Sequence, residues 1–225
     1  MSEEFVIRPV AHIRSDFREK FGIPRQSGLA PSLRAEVVFV PEYRSAEAVR
    51  GLEEFSHLWL IWQFSRAVRE GWSPTVRPPR LGGNTRVGVF ATRAPFRPNP
   101  LGLSCVALLG IGEGPVLQVA GADLLDGTPI YDIKPYLPYS DARPEARGGF
   151  TDRVDRRLLT VVFPPELLAQ VPEEKRGALC EVLAQDPRPS YQDDPARVYG
   201  MDFAGLNIRF AVAGDTLTVA AVGRA

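Results

Sequence analysis

The chain is predicted to be mainly β, with a large N-terminal β body and a small α+β domain at its C-terminal end. Short runs rich in β-branched and aromatic residues recur from Val6 to Ile133, separated by Gly, Pro and Asp turn chemistry. A polar stretch with paired glycines, residues 139–155 (YSDARPEARGGFTDRVD), then interrupts the pattern. After it a helix follows a strand: across Glu173 to Gln185, Leu179, Val182 and Leu183 share one face at i, i+3, i+4 spacing. The expected division is a β body over residues 1–140, a linker over 141–155 and an α+β domain over 156–225, within the reach of 225 residues.

The elements follow in order. Val6 to Ser15 alternates loosely around Val6, Val10 and Ile13 and predicts a first strand; Arg34 to Val40 predicts a second, stopped by Pro41. Residues 45–54 (SAEAVRGLEE) predict a short helix with Ser45 as N-cap. Phe55 to Phe64 (FSHLWLIWQF) is almost continuously apolar, as expected of a strand buried on both faces. Residues 71–86 form a loop rich in Pro and Gly, followed by strands at Val87 to Thr92, Leu103 to Ile111, Pro115 to Ala122 and Ile130 to Ile133. Many short strands with turn chemistry between them suit a barrel or sandwich. In the C-terminal part, Leu158 to Phe163 reads as a strand and Pro165 to Val171 as a short helix. Strands Leu206 to Val212 and Thr216 to Val222 flank the turn Ala213-Gly214-Asp215. About 70 residues are marginal alone, so this unit is expected to dock on a partner surface.

Composition narrows the function. Hydrophobic content of 44% and charged content of 24% are ordinary for a globular protein with a packed core. No apolar run approaches the roughly 20 residues of a membrane span, and Met1 to Val6 is acidic rather than a secretion signal. Cys105 and Cys180 have neither metal nor redox spacing, which points to a reducing, cytoplasmic setting and no metal. Basic and acidic residues balance, 27 against 27, so indiscriminate coating of nucleic acid is not expected.

The charges are nonetheless unevenly placed. Between Gly71 and Gly112 there is no acidic residue but there are five arginines, Arg77, Arg80, Arg86, Arg93 and Arg97. Within this window runs Arg93-Ala94-Pro95-Phe96-Arg97-Pro98-Asn99-Pro100-Leu101-Gly102-Leu103-Ser104. Its three prolines fix φ and remove donors, making a stiff loop that orders a ligand cheaply. Its arginines offer forked hydrogen bonds to carboxylates or phosphates. The competing reading is an extended surface loop with scattered arginines. A second cluster runs from Asp123 through Asp126-Gly127-Thr128-Pro129 to Tyr139. Asp126-Gly127 signals a tight turn, and turn-shaping is the simpler role for Asp126. Asp132 and Lys134 share a face by period two, while Tyr136 and Tyr139 offer flat rings suited to a nucleobase. A third segment, Glu19-Lys20-Phe21-Gly22-Ile23-Pro24-Arg25-Gln26, is another stiff loop. Gly110-Ile111-Gly112-Glu113-Gly114 is not a dinucleotide loop, because Pro115 and a strand follow it instead of a helix. His12 and His57 receive no role.

These segments together resemble the TsaA-like, or TrmO, family of S-adenosylmethionine-dependent tRNA (adenine-N6)-methyltransferases. The resemblance is carried by EKFGIPRQ, GLEEFSHLWLIW, TVRPPRLGGNTRVGVFATR, RPNPLGLS and DLLDGTPIYDIKPYLPY, and later by Ala184-Gln185-Asp186-Pro187-Arg188-Pro189-Ser190-Tyr191. It implies a single-sheeted β-barrel that binds the cofactor without a Rossmann fold and works as a homodimer. It further implies methylation of the exocyclic amine of the threonylcarbamoyl-modified adenosine next to the anticodon of threonine tRNAs. Matched motif positions imply cofactor contacts at Pro24, Arg25, Gln26, Ser65, Arg66, Arg93, Leu103, Asp126, Gly127, Thr128 and Pro129.

Methyl transfer to an amine needs alignment of donor and acceptor above all, and a group to accept the amine's proton. The sequence offers Asp132 or a backbone carbonyl near Pro135 for the proton, Tyr136 to stack on the base and Lys134 to meet a carboxylate or phosphate. An anticodon stem-loop would be held by Arg77, Arg80, Arg86 and Arg97, with Arg188 and Tyr191 as further RNA contacts. Two rival readings share the pocket: a small-molecule methyltransferase, and a non-catalytic RNA-binding or cofactor-sensing module.

Overall fold

A computed structural model describes residues 5–67, 71–78, 81, 84–153, 156–189, 192 and 194–225 of the chain. The N-terminal body contains eight strands: β1 (Ala11–Arg14), β2 (Arg34–Phe39), β3 (His57–Gln63), β4 (Thr75–Val76), β5 (Val87–Gly88), β6 (Leu101–Gly112), β7 (Val116–Ala120) and β8 (Pro129–Pro135). Six of them close into a single antiparallel barrel in the order β1-β2-β7-β6-β3-β8, β8 returning to pair with β1. Strands β4 and β5 pair separately as a small arm.

Period-two patterning explains the interior. Ile13, Val37, Leu58, Leu60, Val106, Leu117, Val119 and Ile130 are all 2% exposed or less and fill the barrel. Each such side chain contributes roughly 1.5–3 kcal/mol through burial. The aromatic strand β3 is not buried on both faces: Leu58, Leu60 and Trp62 point inward, while Trp59, Ile61 and Gln63 are only partly covered. The Gly-rich segment after β6 is a hairpin turn, as its sequence requires, with Gly114 at φ 84° between Gly112 and Val116.

Other elements are shorter than expected. Residues 45–54 are not one helix but two 3-10 turns, Glu47–Val49 and Leu52–Glu54, separated by Gly51 at φ 83°. A left-handed residue cannot continue a right-handed helix, and Ser45 makes no cap. The strand expected over 87–92 ends at Gly88, where a 3-10 turn, Val89–Ala91, begins.

Among the described residues three short helices follow: α1 (Pro138–Asp141), α2 (Pro165–Leu168) and α3 (Glu173–Ala184). The last two pack with a second sheet made of β9 (Thr160–Val162), β10 (Tyr199–Phe203), β11 (Leu206–Ala213) and β12 (Thr216–Arg224) in the order β10-β11-β12-β9. Strand β10 is absent from the sequence reading. It joins β11 through Ala204 and Gly205, at φ 51° and 77°, the two-residue hairpin turn in which both centres are left-handed.

The surface on which this second sheet docks belongs to the same chain. Phe17, Ala30, Leu33 and Leu125 join Leu179, Val182, Phe203 and Phe210 in one hydrophobic cluster. Phe17 meets Phe203 edge-on at 5.5 Å, and Phe21 stacks on Phe210 at 6.5 Å. Polar ties flank the cluster: Lys175 Nζ lies 2.6 Å from Asp16 Oδ2, and Ser32 donates from its backbone N and its Oγ to Glu181 at 2.8 and 2.7 Å. Residues 16–33 are thereby clamped between barrel and sheet. Among the described residues no helix is long and apolar enough to cross a membrane.

Candidate functional site

The clamped loop ends at the mouth of a cavity of about 480 Å³. Its walls come from Ile23 to Gln26, from Trp62 to Ala67 at the end of β3, from Arg93 and Pro95 to Arg97, and from Leu101 to Leu103 at the start of β6. Asp123, Leu125 and Thr128 complete it from the β7–β8 connection. Volumes of about 300–1,000 Å³ are typical of small-molecule sites.

Close packing fixes the inner wall. The Trp62 ring lies over Gly102 so tightly that a Cβ there would sit 2.3 Å from it. The same ring tilts against Phe64 at 4.4 Å. Its Nε1 donates to Ser104 Oγ at 2.9 Å, and Ser104 in turn donates to Asp123 Oδ1 at 2.5 Å. Burial pushes the Asp123 carboxyl above the usual carboxylate range, opposed by the Ser104 hydrogen bond, backbone N–H contacts that include Ser27, and the Arg93 charge. The outer wall is cationic. Arg93 donates to Gln26 Oε1, Gln26 Nε2 donates to the Arg25 carbonyl, and Lys20 Nζ donates to the Arg66 carbonyl. Arg25 also reaches the Arg188 carbonyl at 3.2 Å.

The structure gathers eight of the expected cofactor residues around this cavity: Pro24, Arg25, Gln26, Ser65, Arg66, Arg93, Leu103 and Thr128. Asp126, Gly127 and Pro129 are not among its lining residues. Asp126 and Gly127 face a separate hollow beside His12 and Arg44. Asp126 Oδ1 accepts from Ser15 N at 3.0 Å, and Gly127, at φ 73°, donates to Ile13 O. Their turn ties the end of β1 to the barrel, the turn-shaping role weighed for Asp126 from sequence.

Asp132, Lys134 and Tyr136 also lie apart from the cavity. Asp132 and Lys134 do share a face, with Lys134 Nζ 2.8 Å from Asp132 Oδ2, but it is the outer one. A register shift opposite Ile61 and Trp62 leaves Tyr131 unpaired on β8, so Ile130 and Ile133 point into the barrel and Asp132 points out. Tyr136 packs against His57 and Trp59 at 6.2 and 5.7 Å. Beside it, Trp59 Nε1 and Leu137 N donate to Asp141 Oδ2 at 2.8 and 3.0 Å and hold that carboxyl below its ordinary range, the Leu137 N–H chief among the causes.

Of the expected RNA contacts, Arg77 and Arg86 are exposed on the β4–β5 arm, and Arg97 lines the cavity. Arg80 and Tyr191 lie outside the described residues. Arg188 is 8% exposed and its guanidinium engages both Asp186 oxygens at 2.8 and 3.0 Å. Its carbonyl accepts from Arg25, so it supports the Arg25 loop.

Sequence reading missed Asp123, Trp62 and the arm's aromatic pair. Trp62 shares the parity of Leu58 and Leu60, so its inward direction was readable; its meeting with Gly102 and Ser104 was not. Trp72 and Phe90 are 52% and 73% exposed with rings 6.4 Å apart and nearly parallel. Beside this pair, Ser73 N donates to Phe96 O and ties the arm to the cavity wall, while Val89 N donates to Pro74 O and joins the two sides of the arm.

Fold and site together define a β-barrel with a pocket of small-molecule size walled by strand ends and proline-stiffened loops, and none of its described lining residues lies in a helix. Profiles described as the tRNA-methyltransferase O N-terminal domain and the TrmO C-terminal domain match residues 12–142 and 156–225. The chain belongs to the TrmO family. It is 43% identical over 219 residues to a tRNA (adenine(37)-N6)-methyltransferase of Escherichia coli K12, covering 92% of this chain and 93% of that protein. It is 38% identical over 182 residues to a Pyrococcus abyssi protein named "probable S-adenosyl-L-methionine-binding protein", covering 75% of this chain and 95% of that one. A crystal structure of TrmO from Pseudomonas aeruginosa superposes with a TM-score of 0.82 at 36% identity, over 98% of this chain and 99% of that one.

Proposed function

We propose that this protein is an S-adenosylmethionine-dependent tRNA methyltransferase that modifies N6 of the adenine next to the anticodon. We further propose that its substrate is the threonylcarbamoyl-modified adenosine of threonine tRNAs. The carrying observation is the convergence of Pro24 to Gln26, Ser65, Arg66, Arg93 and Leu103, distant in sequence, on one cavity of about 480 Å³.

The lining fits the cofactor in kind. Trp62, Phe64 and Leu103 offer apolar surface for a purine, Arg25 and Arg93 offer guanidinium groups for a carboxylate, and Asp123 offers an anion for a cationic centre. When bound, the cofactor supplies an electrophilic methyl group. The chain's task is then alignment: rigid walls hold the cofactor so that an amine presented at the mouth meets it in line, an arrangement that supplies up to roughly 7–11 kcal/mol of barrier lowering. The basic arm supports an RNA substrate, with Arg77 and Arg86 suited to phosphates and Trp72 and Phe90 to unstacked bases. In this reading Asp132, Lys134 and Tyr136 belong to an outer RNA-facing surface, and the protein acts as a cytoplasmic homodimer.

Mass spectrometry of tRNA nucleosides after incubation with purified protein and cofactor tests the proposal. Methylated threonylcarbamoyladenosine should appear in threonine tRNAs. Methyl incorporation confined to small metabolites, or none into any tRNA, would refute it.

A further inference from the structure

The cavity has an unusual charge balance for the ligand proposed. Lys20, Arg25, Arg66, Arg93 and Arg97 line it, against a single carboxylate, Asp123, among the described lining residues. S-adenosylmethionine carries a sulfonium and an ammonium against one carboxylate and is a net cation. Its demethylated product keeps the ammonium and carboxylate but has a neutral thioether, so donor and product differ chiefly by one positive charge. Cationic walls alone repel the donor more than the product.

Asp123 is built to reverse this. Its Oδ1 accepts the Ser104 hydroxyl at 2.5 Å, Ser104 accepts Trp62 Nε1 at 2.9 Å, and Trp62 is wedged over Gly102 without room for a Cβ. The carboxylate is thus oriented before any ligand arrives, and a pre-oriented charge in a poorly solvated site acts more strongly than one in water. Burial disfavours its anion in the free protein, so an incoming cation gains a partner that solvent does not already satisfy.

Resting on the reading of this cavity as the cofactor site, we propose that Asp123 is a specificity-determining residue whose carboxylate favours the sulfonium donor over its neutral thioether product. The loss of that charge on methyl transfer then weakens the hold on the product and aids its release.

Calorimetric titration of full-length wild-type and Asp123→Asn protein with S-adenosylmethionine, S-adenosylhomocysteine and a donor analogue bearing a protonated amine in place of the sulfonium tests this. Asparagine keeps an acceptor for Ser104 while removing the charge. Both cationic ligands should weaken by about tenfold or more while the thioether changes by less than about threefold. Ser104→Ala, which keeps the charge but frees it from its tether, should lower the same ratio by a smaller factor. Equal loss for charged and neutral ligands, or an unchanged ratio in whichever variant folds, overturns the proposal. Wild-type protein that binds none of the three ligands instead refutes the cofactor site itself.

Discussion

Trp62 occupies the space that any side chain at position 102 would need, which explains the glycine two residues past the last proline of the loop. In Gly102→Ala the added methyl meets the ring at 2.3 Å, so the indole must move and its bond to Ser104 must lengthen. Overpacking of this kind costs about 1–3 kcal/mol. A lower melting temperature and weaker cofactor binding are expected together; a variant that matches wild type in both would mean the ring has room to spare. Asp123 makes a second prediction at this scale. Its folded pKa is raised, so the native state binds its proton more tightly than the unfolded chain does. The associated stability is full below the ordinary carboxylate value of about 4 and is lost as pH climbs through the raised folded value. Asp123→Asn should therefore gain stability relative to wild type over that interval and hold a constant advantage above it. Urea denaturation of both proteins from pH 4 to 8 checks this, and a difference that shrinks with rising pH would contradict it. Position 102 could be noted from sequence as a glycine two residues after a proline, but only the fold brings Trp62 to it.

At the scale of elements, apolar runs bounded by turn residues were the dependable signal and helix length the weak one. Strands β2, β3, β6, β7, β8, β11 and β12 were legible because runs rich in β-branched, aromatic and apolar residues stop at turn chemistry, although β3 alternates where its sequence predicts burial on both faces. The helix read over 45–54 failed because Gly51 takes a left-handed conformation that composition does not announce. Strand β10 was missed because Tyr199, Met201 and Phe203 alternate with Gly200 and Asp202, neither of them a strand former. Composition predicts a loop over 71–86 and a strand over 87–92, yet the β4–β5 arm built from them presents Trp72 and Phe90 as an exposed pair. Trp72→Ala and Phe90→Ala should each weaken tRNA binding by about 1–3 kcal/mol, the usual worth of base stacking, with cofactor affinity unchanged. Filter binding beside sedimentation decides this. Loss of self-association with unaltered RNA affinity would assign the arm to a second copy of the chain instead.

For the whole molecule, the decisive feature is the shared core between the loop 16–33 and the second sheet. That loop supplies Pro24, Arg25 and Gln26 to the cavity, so the C-terminal unit, residues 156–225, holds the site in shape without any of its described residues lining it. Arg188 and Met201 illustrate this: one accepts Arg25 through its carbonyl, and the other sits where a Cβ on Gly22 would lie, 2.1 Å from its sulfur. Glu181→Ala removes the acceptor of both Ser32 hydrogen bonds. It should cost about 1–3 kcal/mol of stability, speed amide exchange across residues 23–28 and weaken cofactor binding, although Glu181 does not line the cavity. Exchange in 23–28 that is indifferent to this change would show that the clamp does not order the loop.

Local order determined much of this protein. Period-two patterning defined a β body, proline and glycine placed its stiff loops, and motif residues marked eight positions that line one cavity. Tertiary structure alone decided that Asp123 is a partly buried carboxyl near Arg93, that Asp132 turns outward past a bulge, and that Arg188 is buried against Asp186. The reason is physical. Periodicity and turn chemistry act between near neighbours along the chain, whereas burial, charge pairing and the direction of a side chain after a bulge depend on segments that meet only when the barrel closes.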